Sequence, residues 1–151
     1  RYTSATWGQA FTTVLTEPAP VLVTSRKFAT PRYCRPDQTI TYTVLVSNTG
    51  NLTATAALTD TLPPGMVVLT GTLVTTSGLT SVYPGDAVRW GGVVAPRCQV
   101  SVSYALSPTV TAPVGVPLTN TVEIAGSVLG SFTRQETIVR GYWVYLPVVI
   151  R

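Results

Sequence analysis

The chain has 151 residues, enough for one domain with its own core. Charged residues make up 11% and hydrophobic ones 45%, against roughly 25% charged in an average soluble domain. The net charge is +4, yet the basic residues are scattered, and the stripe of clustered Arg and Lys with aromatics that binds phosphate backbones is missing.

Thr, Val, Pro and Gly set the character of the sequence. Thr and Val favour a pleated, half-buried surface, and Pro and Gly punctuate turns. The first strand-like run is Val21 to Lys27, which places Val21, Val23, Ser25 and Lys27 on one face. Thr39 to Asn48 alternates, with Ile40, Tyr42, Val44 and Val46 on one side, and ends in the turn Asn48-Thr49-Gly50-Asn51. Thr53 to Leu62 puts Leu58, Asp60 and Leu62 together before Pro63-Pro64-Gly65 breaks the chain. Met66 to Thr76 reads as two pieces around Gly71, and Ala87 to Trp90 follows the turn Pro84-Gly85-Asp86. Gln99 to Leu106 sets Val100, Val102 and Tyr104 against Ser101 and Ser103. Pro117 to Ala125 groups Leu118, Asn120, Val122 and Ile124, and Phe132 to Val139 follows. Period-two alternation broken by Pro/Gly turns predicts an all-β, immunoglobulin-like antiparallel β-sandwich.

Both ends read as extra strands on that sandwich. The expected division is an N-terminal extension over 1–19, a sandwich over 20–140 and an apolar C-terminal strand over 141–151. In the extension Trp7, Phe11 and Leu15 share a parity, the pattern of a strand donated to a neighbour's groove. Trp143 to Ile150 is apolar on both parities, so it needs cover on both faces, and Trp143 and Tyr145 are its candidate contact residues. No apolar run reaches 18 residues, so no membrane span is expected. A chain beginning at Arg1 without Met fits a secreted protein whose signal has been removed.

Four blocks, in order, carry a resemblance. They are Pro36-Asp37-Gln38-Thr39-Ile40-Thr41-Tyr42, Asn48-Thr49-Gly50, Asp60-Thr61-Leu62-Pro63 and Leu118-Thr119-Asn120-Thr121. The stretch 20–126 resembles the conserved repeat domain, the eleventh domain of unknown function, of bacterial and archaeal surface proteins. Asp37 stands where that family usually has Gly, and Cys98 where an acidic residue is commoner. The resemblance implies an immunoglobulin-like sandwich at the cell surface. The tail Val144-Tyr145-Leu146-Pro147-Val148-Val149-Ile150-Arg151 also resembles a terminal motif of secreted proteins from filamentous thermophilic bacteria.

Three polar residues fall at core parity on three strands: Lys27, the only lysine, Asp60 and Asn120. Burying each alone is costly. Surface proteins of the architecture that the resemblance implies can join such a Lys to such an Asn in an intramolecular isopeptide bond. Burial favours the neutral, nucleophilic amine, and a protonated Asp60 can polarise the amide. Two alternatives stand beside it: a buried Lys27–Asp60 ion pair with Asn120 hydrogen-bonded nearby, and a Lys27 that snorkels out at a strand end.

Cys34 and Cys98 each precede a predicted strand beside a Pro turn. In an oxidising compartment they are expected to pair as a disulfide, the alternative being two separate thiols. Asn51-Leu52-Thr53 is a glycosylation sequon in a turn.

Nothing suggests an enzyme. No His is available for a Ser-His triad or a zinc site, the cysteines lack metal-binding spacing, and the six acids are spread out. No cofactor and no metal is expected. Trp7, Trp90 and Trp143 could form a sugar-stacking platform, although Trp more often fills cores and interfaces. The leading expectation is a secreted subunit of a filament or surface layer that polymerises with identical copies by β-strand complementation, with Asn51 as a candidate glycan site. A single adhesion or carbohydrate-binding module of a larger surface protein is the rival.

Overall fold

The computed structural model describes residues 17–83, 87–126 and 130–142. Among them the strands are β1 (Arg26–Thr30), β2 (Tyr33–Cys34), β3 (Ile40–Ser47), β4 (Ala54–Thr61), β5 (Met66–Val68), β6 (Val74–Thr75), β7 (Leu79–Tyr83), β8 (Ala87–Val94), β9 (Gln99–Pro108), β10 (Pro117–Gly126) and β11 (Gly130–Arg140), and no described residue is helical. One sheet runs β1-β3-β9-β5, with β6 also on β9, and the other runs β2-β11-β10-β4-β8-β7. The fold is the expected immunoglobulin-like β-sandwich. One pairing departs from antiparallel: β2 runs parallel to β11.

Alternation determines which face is inward. Ile40, Tyr42, Val44 and Val46 on β3 are fully buried, and the register sets Tyr42 opposite Tyr104 and Val44 opposite Val102 on β9. On the facing sheet Leu58 and Asp60 of β4 and Leu118, Asn120, Val122 and Ile124 of β10 point in. The apolar interior falls into two clusters, one around Val44, Leu58, Trp90 and Ile124, the other around Ile40, Tyr42, Leu106 and Ile138. Each large side chain so buried contributes about 1.5–3 kcal/mol of transfer free energy. Lys27, Asp60, Asn120 and Glu136 are also buried but belong to neither cluster.

The turn after β3 explains why Asn48 and Gly50 stand where they do. Asn48 is buried, and its Oδ1 accepts from Val21 N and Gly50 N, each at 3.0 Å. Its Nδ2 donates to Leu52 O at 2.7 Å and Val94 O at 3.1 Å. One side chain thus ties the incoming segment, the turn and β8 together. A Cβ on Gly50 would lie 2.1 Å from Ala19 O, so only glycine lets residues 19–21 pack there.

Several expectations need correction. The first strand is not Val21 to Lys27. Ser25 N and Oγ both turn back to Leu22 O, at 3.0 and 2.7 Å, so the chain bends there and the strand starts at Arg26. Leu22, not Val21 or Val23, is the buried apolar residue ahead of that bend. The short strands β2 and β7 were not anticipated, because two residues or a mostly exposed run carry no clear periodicity.

The expected disulfide is absent: Cys34 and Cys98 are both free thiols. Cys34 packs in the cluster with Ile40 and Leu106, which pair at one end of β3 and β9. Cys98 comes just before β9, at the opposite end, where Ser47 pairs Gln99. About 24 Å of strand separates those ends at 3.4 Å per residue, whereas a disulfide needs Cα atoms within about 7 Å. The proposed contact residues Trp7, Phe11, Leu15, Trp143 and Tyr145, and the turn 84–86, lie outside the described residues.

Candidate functional site

The layer between the two apolar clusters holds a connected polar group. Lys27 comes from β1, Tyr42 from β3 and Tyr104 from β9, all on one sheet. Asp60 on β4, Asn120 on β10 and Glu136 on β11 come from the other. Asn120 is paired with Glu136, while Asp60 is paired with Val122, so Asp60 and Asn120 are diagonal neighbours on the inward face. The parity argument therefore places its three residues correctly: Lys27, Asp60 and Asn120 share one buried layer.

Contacts link them in series. Lys27 Nζ donates to both carboxylate oxygens of Asp60, and both side chains are fully shielded from solvent. That geometry excludes the snorkelling alternative. Tyr104 Oη donates to Asp60 Oδ2 at 2.5 Å. With its proton directed there, the hydroxyl offers a lone pair to Asn120 Nδ2, which donates to it at 3.2 Å. Asn120 Oδ1 is buried with no hydrogen-bond partner. Tyr42 stacks on Tyr104 with centroids 5.9 Å apart and an interplanar angle of 19°, which fixes the ring. Lys27 Nζ lies 5.1 Å from the Tyr42 ring centroid. At the layer's edge the exposed Arg32 bonds Glu136 Oε1 through Nε at 2.6 Å.

Burial governs the protonation of this group. Desolvation lowers the Lys27 pKa from its ordinary 10.5 to about 8, against the opposing pull of Asp60. Desolvation likewise raises Asp60, with Lys27 and Tyr104 pulling it back. Both shifts favour the neutral amine and the neutral carboxylic acid. Burial and the Asp60 charge push both tyrosines up, so each keeps its phenolic proton. An amine that gives up its proton more readily than an ordinary lysine, a carboxyl group able to carry a proton and a primary amide thus share a dry site.

Tyr104 and Glu136 were missed from sequence. Tyr104 was correctly placed on the inward parity of β9 but was read with the apolar residues around it. Glu136 and Arg140, both buried on β11, alternate with exposed Thr137, and that alternation was the available signal. The remaining expected sites stand apart. Asn51 is exposed in its turn, with Oδ1 accepting from Ala19 N at 2.9 Å. Trp90 is buried and donates through Nε1 to Ser77 O at 2.7 Å, so it fills the core and cannot serve as a stacking platform.

No family model matches the chain, and no curated protein sequence matches it. Solved structures do resemble its fold. One is the major pilin subunit BcpA of Bacillus cereus, at 12% identity and TM-score 0.58, covering 81% of this chain and 40% of that one. Another is the pilus backbone protein RrgB of Streptococcus pneumoniae, at 16% identity and TM-score 0.53, covering 68% of this chain and 31% of that one. A third is BslA, a bacterial hydrophobin, at 17% identity and TM-score 0.55, covering 80% of this chain and 96% of that one. The chain thus spans well under half the length of the two pilins it resembles.

Proposed function

We propose that this chain is a non-enzymatic structural module of an extracellular filament or surface layer, stiffened by a covalent bond between its two sheets. The observation that carries the reading is the buried series Lys27, Asp60, Tyr104, Asn120, which bridges the sheets at the middle of the core. A module that only needed to fold would do as well or better with apolar residues there, because buried ion pairs seldom stabilise more than hydrophobic replacements. The neutral Lys27 amine attacks Asn120 Cγ, the Nζ–Cγ bond forms, the Cγ–Nδ2 bond breaks, and ammonia leaves. The product is an amide between β1 and β10 that closes the sandwich chemically. The likeness to pilins and the motif resemblance to surface repeat domains support the same setting.

Polymerisation by strand addition completes the reading. It needs an open sheet edge, and among the described residues β7 ends its sheet with Leu79, Val82 and Tyr83 exposed. The donor in this reading is the segment 1–17, with Trp7, Phe11 and Leu15 as anchors. Negative-stain electron microscopy of native material sheared from cells tests it. Uniform filaments with a repeat of a few nanometres, about one domain of this size, support the polymer, whereas isolated particles point to a module of a larger adhesin. Replacing Trp7 and Phe11 by Asp should stop polymerisation without unfolding the sandwich, and continued polymerisation would rule out this donor.

A further inference from the structure

We propose that Tyr104 is the proton relay of the cross-linking reaction, carrying to Asn120 the proton that Lys27 gives up. The inference rests on the cross-link proposed above and assigns a role to a residue outside the Lys–Asp–Asn set.

Forming the amide moves one proton across the site. The amine must lose a proton as it bonds to carbon, and the departing nitrogen must gain one to leave as ammonia, since an amide anion is far too basic to depart. Lys27 Nζ touches both oxygens of Asp60, so the carboxylate is placed to take the proton. Among the described residues no hydrogen bond joins Asp60 directly to Asn120. The hydroxyl of Tyr104 stands between them, 2.5 Å from Asp60 Oδ2 and 3.2 Å from Asn120 Nδ2. It already accepts from the nitrogen that must leave. Once attack makes Cγ tetrahedral, the Nδ2 lone pair is free, the two hydrogen bonds of Tyr104 reverse, and the phenol passes its own proton to Nδ2 while Asp60, which has received the Lys27 proton, reprotonates the phenol oxygen. The sum is amine plus primary amide giving secondary amide plus ammonia, with no external acid, base or oxidant.

The orientation of Tyr104 suits the task. Tyr42 stacks against its ring, and all the groups in the relay are buried, so water cannot replace the hydroxyl. Relay through a weak acid such as a phenol is effective when the proton is handed on in concert, and a positioned acid–base group of this kind contributes roughly 10²–10⁴-fold in rate.

The test follows conversion by intact mass after cell-free synthesis at low temperature, with folding monitored separately by circular dichroism. The wild-type chain is expected to become lighter by one ammonia. Tyr104→Phe is expected to fold and to convert at least about 100-fold more slowly. A fluorotyrosine at position 104, more acidic but nearly the same shape, is expected to fold normally and to change the rate and its solvent isotope effect. A wild-type chain that keeps its full mass overturns the cross-link itself. A wild-type chain that converts while Tyr104→Phe converts equally fast overturns only the relay. A slow Tyr104→Phe with an unaltered fluorotyrosine rate and isotope effect also overturns the relay and leaves Tyr104 a packing residue.

Discussion

Consider the background Asn120→Ala, in which no amide can form, and add Asp60→Ala to it. Lys27 would then keep a fully shielded ammonium or amine with its ion-pair partner Asp60 removed, and Tyr104 Oη would lose its acceptor. Breaking a buried pair from one side costs about 3–5 kcal/mol, because the remaining charge is uncompensated. For a sandwich of this size, each kcal/mol moves the melting temperature by about 3–5 °C, so a drop of about 10–20 °C is expected. Urea unfolding followed by Trp fluorescence, with circular dichroism melts alongside, gives both numbers. The companion variant replaces both members, Lys27→Met with Asp60→Leu, and should recover to within about 1 kcal/mol of the background. A cost under about 1 kcal/mol for the single change, or a double variant as unstable as the single, would refute the claim that desolvation dominates this layer.

Three further outcomes are expected. In the same Asn120→Ala background, the unfolded chain binds more protons on Lys27 than the folded one between pH 8 and 10.5. Stability should therefore rise with pH from about 8 to 9, before Cys34 and the two tyrosines, whose pKa values are raised in the fold, act in the opposite direction. In the cross-linked wild type the amide does not titrate and the rise should vanish, which urea titrations at several pH values would detect. Asn48→Ala removes four hydrogen bonds at a buried turn and should cost about 3 kcal/mol or more. Its amide protons at Val21 and Gly50 should lose their protection from hydrogen exchange. A thiol reagent should modify exposed Cys98 quickly in the folded protein and Cys34 only on unfolding, since Cys34 is buried and burial raises its pKa.

How far the sequence carried depends on the residue. The inward faces of β3, β9 and β10 were legible because every second residue there is apolar or aromatic. The same alternation placed Asp60 and Asn120 inward, whereas Lys27 is buried although Val21 and Val23, the residues that set its parity, are not. What alternation could not give was the relative direction of neighbouring strands, and the disulfide failed on that. Cys34 and Cys98 look equivalent in sequence, each just before a strand beside a proline, but those strands, β3 and β9, are antiparallel neighbours, so the start of one lies at the end of the other. The bend at Leu22–Ser25 was hidden because it is held by the backbone and side chain of a single serine within an otherwise alternating run. Tyr104 was hidden by its own amphipathic character: its ring satisfies the apolar pattern while its hydroxyl joins the polar one.

The path of the chain through the sandwich bears on how it would respond to tension. Residues 19–25 pack at the end where β3 meets the Asn48 turn, and β11 finishes at Arg140 at the opposite end, beside Cys34. A pull applied through these two points runs along the strands, so the β1–β3 and β10–β11 ladders are loaded in shear and their hydrogen bonds must fail together, not one at a time. An amide from Lys27 to Asn120 would join the first strand on that path to the neighbour of the last. The stretch between those two residues would then be removed from the extensible length, and most of the sandwich would be shielded from the load.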